Sequence, residues 1–96
     1  MKDTPKFVVG VIGIIRKADN ILLMRRALTK STNPGKWEAI AGKVEFKEHP
    51  NDALHREIKE ESGLNVSINE RPLTSFQTIR GTEPMILIYY LCDYVS

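Results

Sequence analysis

The sequence predicts an α+β domain, a mixed β-sheet with one amphipathic helix packed against it. Three observations carry that prediction. Phe7 to Ile15 and Met85 to Leu91 are apolar runs rich in Val, Ile, Leu and Tyr, the composition of buried strands. Pro50 to Ser62 carries helix signals at both ends. The segments between are short, and turn-forming residues separate them. At 96 residues the chain is one small domain. A domain of that size buries roughly 60–70% of the surface its unfolded chain exposes, so its core is modest.

The elements follow in order. Phe7 to Ile15 reads as a strand, and the polar Arg16-Lys17-Ala18-Asp19-Asn20 as a turn. Ile21 to Met24 is a second apolar run, completing a hairpin. Ala27 to Gly35 is a loop, and Trp37 to Glu45 a short extended piece interrupted by Gly42. In the helix, Pro50 suits the first position, where its missing N–H costs nothing. Asp52 puts negative charge at the positive end of the helix dipole, and Gly63 is the natural C′ residue. Leu54 and Ile58 form an apolar stripe, with His55 and Lys59 facing outward. Leu64 to Ile68 alternates like a half-buried strand. Pro72 marks a turn, Leu73 to Thr78 a strand and Gly81 to Pro84 a loop. Met85 to Leu91 reads as a central strand buried on both faces.

Bulk properties exclude several classes. The formal charge of +2 is too small to argue for duplex nucleic acid. The one cysteine, Cys92, cannot form an internal disulfide and reads as a small buried hydrophobe. The N-terminal apolar run lacks a cleavage site and is far shorter than the ~20 residues of a membrane span. The expectation is a cytoplasmic protein without membrane contacts.

The chemistry concentrates in one helix. Glu57, Glu60 and Glu61 sit at i, i+3 and i+4 and share a face. Like charges at that spacing repel, and a hard divalent cation reverses the sign of the interaction. Mg²⁺ takes oxygen ligands and bridges carboxylates to phosphates. Glutamates on a helix are usually a solvated face. Here they belong to a larger pattern: Gly42, five residues, Glu48, seven residues, then Arg56-Glu57-Ile58-Lys59-Glu60-Glu61-Ser62-Gly63-Leu64. Seven of its positions are single residue types and two are aliphatic.

That pattern, with Leu22 to Ala27 and Pro34 to Glu38 before it, resembles the Nudix (MutT-like) hydrolases over nearly the whole chain. The resemblance implies an α/β/α sandwich around a mixed sheet. It implies Mg²⁺ or Mn²⁺ held by Glu57, Glu60 and Glu61, with the carbonyl of Ala41 and with Glu48 as outer ligand or support. Glu57, Arg56 and Glu60 are then the catalytic candidates, with one carboxylate as general base and Arg56 orienting Glu57. Arg25, Arg26 and Lys43 are candidates for binding substrate phosphates. The implied reaction is attack of water on a pyrophosphate linkage in a nucleoside triphosphate or a nucleoside diphosphate derivative. The alternative is a non-catalytic nucleotide-binding or interaction module that retains the fold. Two departures from the family pattern remove no ligand: Ile40-Ala41-Gly42 replaces Pro-Gly-Gly or Pro-Ala-Gly, and Lys47 replaces a frequent glycine.

The chain also ends at Ser96, soon after its last apolar strand. Relatives continue with a strand and a second covering helix, so residues 1–96 read as one Nudix domain incomplete at its C-terminus. Its sheet is expected to be bare on one face, which favours aggregation or a homodimer. Trp37 reads as core, His49 as a structural helix cap, His55 as exposed, and Tyr89, Tyr90 and Tyr94 as packing. Residues 79–82 carry neither the proline of ADP-ribose hydrolases nor the tyrosine of dinucleoside polyphosphate hydrolases. That leans toward nucleoside triphosphates.

Overall fold

β-Branched residues favour extended backbone, and the longest such run forms β1 (Val8–Lys17). The computed structural model describes residues 6–31 and 33–96. Residues 1–5, read above for a targeting signal, and Thr32 of the predicted loop lie outside the described residues. The predicted turn at 16–20 narrows to Ala18 and Asp19, with Ala18 at a φ of 52°. Arg16 and Lys17 stay in β1, and Asn20 opens β2 (Asn20–Leu22). Met24–Arg25 (β3) and Trp37–Glu38 (β4) form a separate two-stranded ladder, followed by β5 (Ile40–Lys43). The remaining elements are α1 (Pro50–Ser62), β6 (Val66–Ile68), β7 (Thr74–Arg80) and β8 (Glu83–Tyr94).

The main sheet is mixed, as predicted. β1 and β8 lie side by side in parallel, with Val8 to Arg16 in register with Met85 to Asp93. The outer edge of β1 pairs antiparallel with β5 at Gly10 to Gly13 and with β2 at Ile15 to Lys17. The outer edge of β8 pairs antiparallel with β7 and then β6. β8 extends beyond the predicted strand at both ends. Gly81, at a φ of 64°, lets a two-residue turn join β7 to β8, so Glu83 and Pro84 are strand rather than loop.

The helix begins and ends where predicted. His49 is the N-cap, and its Nδ1 accepts the Asn51 N–H at 3.2 Å. Gly63 takes the left-handed C-terminal conformation (φ 72°) and donates its N–H to the Lys59 carbonyl. Ala53, Leu54 and Ile58 are buried against Val11, Ile15, Ile40, Tyr90 and Cys92. Gly13 sets how closely the helix approaches. A Cβ there would lie 3.2 Å from Leu54 Cδ1 and 3.3 Å from Ile58 Cδ1.

α1 is the single helix among the described residues, and it covers one face of the sheet. By strand alternation Ile12, Ile14, Leu87, Tyr89 and Leu91 point to the opposite face, where they are half-buried. Phe76 stacks on Tyr89 there, with ring centroids 5.4 Å apart. β8 is therefore central in the sheet without being fully buried on both faces, which corrects the reading of Met85 to Leu91. Trp37 is a second correction. It lies on the small β3–β4 ladder, away from the core, and is 66% exposed. No helix among the described residues is long and apolar enough to cross a membrane.

Leu54 is fully buried at the centre of the helix–sheet contact. Truncation to Ala is expected to cost about 2–5 kcal/mol, a large part of a small domain's stability. Urea denaturation of Leu54→Ala measures it, and a loss below 1 kcal/mol would show that α1 is not fixed by this contact.

Candidate metal and phosphate site

An arginine guanidinium presents five N–H donors in a rigid fork, and Arg56 on α1 uses several of them. Its Nε and Nη2 donate to Glu48 Oε2 and Oε1 at 2.9 and 3.0 Å, a bidentate pair. Its Nη1 donates to Glu57 Oε1 at 2.8 Å, and Nη2 also reaches the Lys43 carbonyl at 3.1 Å. Glu45 and Glu60 stand 3.7 and 3.6 Å from the same cation. Glu48 Oε1 accepts the Glu45 N–H as well, closing the loop between β5 and α1. The Arg56 hydrogen bonds, and then the Glu45 N–H, hold the Glu48 carboxyl below its usual pKa. The expected hydrogen bond from Arg56 to Glu57 is present, and Glu48 accepts two more from the same side chain.

Gly42 explains why the pattern needs glycine at that position. Its φ is not left-handed, and the constraint is space. A Cβ at 42 would overlap the Cγ and Cδ of Glu57. The missing side chain lets Glu57 lie on β5, where it is 17% exposed and aimed at Arg56. Ala41 lies beside it along the cleft wall. Lys47 takes a φ of 66°, which a glycine would adopt at no steric cost. The lysine there loads the loop with conformational strain rather than altering the site's chemistry.

The carboxylates differ in how firmly they are held. Glu48 and Glu57 hydrogen-bond to Arg56, whereas Glu60 is 61% exposed and stands 3.6 Å from the same guanidinium. The Glu61 carboxyl is pushed above its usual pKa, first by burial and then by the charges of Glu57 and Glu38, with a hydrogen bond to Glu57 and the charge of Glu60 adding less. A divalent cation would relieve that repulsion. The donor set is all oxygen, which fits Mg²⁺ or Mn²⁺. Among the described residues no three acidic or imidazole side chains are already gathered as a cage. Mg²⁺ does not require one, since it commonly uses one or two carboxylates with water and substrate phosphates.

A cleft of about 550 Å³ opens beside this cluster. Ala41, Gly42 and Glu61 line one end, with Arg26, Lys43 and Glu38 beside them. Ile12, Met85, Leu87 and Ile79 supply apolar wall, and Asn33, Thr78 and Arg80 polar wall. Two of the three predicted phosphate contacts, Arg26 and Lys43, thus share the cleft with Glu61. Arg25 does not line it. Its Nε donates to the Gly35 carbonyl, and it borders a smaller cavity of about 270 Å³ with Arg26, Glu38 and Glu61. Sequence reasoning assigned Glu38 no role. The β3–β4 ladder sets it against Arg26, whose Nη1 donates to it at 3.1 Å, and in electrostatic range of Glu61. The opposite charges bracketing the 27–35 loop were the available signal.

Residues 4–96 match the family description "NUDIX domain". The chain belongs to the Nudix family. Among curated relatives of this Nudix chain, it is 38% identical over 89 residues to the CTP pyrophosphohydrolase of Escherichia coli K12, covering 93% of this chain and 65% of the relative. It is 39% identical over 67 residues to the 8-oxo-dGTP diphosphatase of Proteus vulgaris, covering 70% and 59%. Among solved structures, the MutT protein of Methanosarcina mazei Go1 superposes with a TM-score of 0.81 at 27% identity, covering 98% of this chain and 67% of that one. The E. coli ORF135 protein gives a TM-score of 0.80 at 30% identity, covering 96% and 65%. The chain therefore spans about two thirds or less of the length of these relatives.

Gly42→Ala is expected to drive Glu57 off β5 and away from Arg56. Loss of such an orienting contact weakens metal binding by about 10- to 100-fold, which calorimetric titration with Mn²⁺ measures. Unchanged affinity would show that the metal does not depend on Glu57 as placed here.

Proposed function

We propose that this Nudix domain hydrolyses a pyrophosphate linkage in a nucleoside triphosphate or nucleoside diphosphate derivative, with Mg²⁺ or Mn²⁺ as cofactor. One observation carries the reading: Arg56 organises the acidic cluster at the end of a cleft that also holds Arg26 and Lys43. Glu57, Glu61 and the Ala41 carbonyl would hold the metal, with Glu48 supporting them through Arg56 and Glu60 left as the general base. The bound metal supplies a water of lowered pKa and neutralises charge on the phosphate oxygens.

The chain's own residues do the rest. Glu60, 61% exposed and 3.6 Å from Arg56, would accept the proton of the attacking water. Arg56 holds Glu57 so that its carboxylate does not reorganise when charge develops. Arg26 and Lys43 offer donors to phosphates further from the reacting centre. The apolar wall from Ile12, Met85 and Leu87 suits the flat face of a base. The relatives named for CTP and 8-oxo-dGTP support a nucleoside triphosphate as the substrate class.

Nucleotide binding without turnover is a second reading, favoured by a cleft lining that includes Glu61 but neither Glu57 nor Glu60. Release of phosphate or pyrophosphate from a nucleotide panel separates the two. The hydrolase reading expects turnover that requires Mg²⁺ or Mn²⁺ and falls at least about 100-fold in Glu60→Gln. Metal-independent turnover, or none from the folded chain, would contradict it.

A further inference from the structure

Lys43 is held at both ends. Its carbonyl accepts a hydrogen bond from Arg56 Nη2, which ties its backbone to the carboxylate network. Its ammonium stands 3.5 Å from Glu83 Oε1. Glu83 is on β8, across β1 from β5, so this pair spans the central strand. Lys43 and Leu87 are both in register with Gly10, and the Leu87 side chain lies over that glycine.

The geometry describes a restraint that yields easily. The distance is beyond a good hydrogen bond. The two side chains are 59% and 44% exposed, so water and salt screen the attraction. A phosphate group brings more charge and several acceptor oxygens, and it wins such a cation from a single carboxylate. Releasing Lys43 does not strand Glu83. Glu83 stays partly exposed, and Arg80 lies directly opposite it at the β7–β8 turn.

We propose that Glu83 is an affinity-setting residue. It holds the Lys43 ammonium while the cleft is free of ligand and competes with a substrate phosphate for it. The inference rests on the reading of the cleft as a pyrophosphate site. It adds a residue from the far strand that acts through Lys43 rather than by touching the ligand. In consequence the domain binds substrate less tightly than Lys43 alone would allow. The same competition returns Lys43 to Glu83 as the phosphate-bearing product leaves.

The test compares wild type, Glu83→Gln, Lys43→Met and the double variant. Binding of inorganic pyrophosphate with Mg²⁺ is measured by calorimetry, and KM and kcat on a nucleoside triphosphate by product release. Glu83→Gln is expected to tighten pyrophosphate binding and lower KM by roughly two- to fivefold, without raising kcat. The gain should shrink as salt rises and vanish in the Lys43→Met background. Melting temperatures of the four chains identify any variant whose fold is disturbed. Unchanged or weaker binding in a folded Glu83→Gln overturns the proposal, as does a gain that persists without Lys43. Pyrophosphate binding absent from all four chains overturns the underlying reading as well. Binding that is present but indifferent to Glu83 overturns the affinity-setting role alone.

Discussion

The guanidinium of Arg56 is the constraint on which the site depends. From α1 this one rigid cation reaches two pieces of chain that secondary structure alone would leave independent, β5 through the Lys43 carbonyl and the connecting loop through Glu48, and it also fixes its neighbour Glu57. A lysine could satisfy one of these partners but not the bidentate fork to Glu48. With Arg56 in place, the loop must close over a fixed distance and the helix must start at a fixed angle. Glu61, further along the same helix, then lines the cleft beside Ala41 and Gly42. The electrostatics follow from the same contact. Arg56 holds the Glu48 carboxyl below its usual pKa, while burial beside Glu57 and Glu38 pushes the Glu61 carboxyl above its own.

Two glycines make that arrangement physically possible. Gly13 lets Leu54 and Ile58 settle on β1, and Gly42 lets Glu57 settle on β5. The first concerns the core and the second the chemistry, yet both set the height of α1 above the sheet. A helix standing higher would loosen the core and lift Glu57 from Arg56 together. Stability and site geometry are coupled here through helix–sheet spacing.

Much of this was legible in the residues. Pro50, Asp52 and Gly63 set the helix bounds because capping is local chemistry. Glu57, Glu60 and Glu61 were placed together because helical spacing is fixed. The failures are all matters of long-range placement. Trp37 looked like core, but its short strand joins a separate ladder at the margin of the domain. The loop predicted at 81–84 shrank because Gly81 closes the turn in two residues and pairing carries Glu83 into β8. Glu38 and Glu83 were invisible as site residues. Their partners, Arg26 and Lys43, are brought to them by strand pairing that no local pattern encodes.

The central claim is that the carboxylates organised by Arg56 hold a divalent cation at the Gly42 end of the cleft. Paramagnetic broadening of amide resonances by substoichiometric Mn²⁺ tests it without relying on turnover. The account predicts selective loss of the Ala41 and Gly42 signals and of those from Glu57 to Glu61. Resonances at Glu83 and Asp93 should fade later. Uniform broadening, or a centre at any other group of acidic residues, would contradict it.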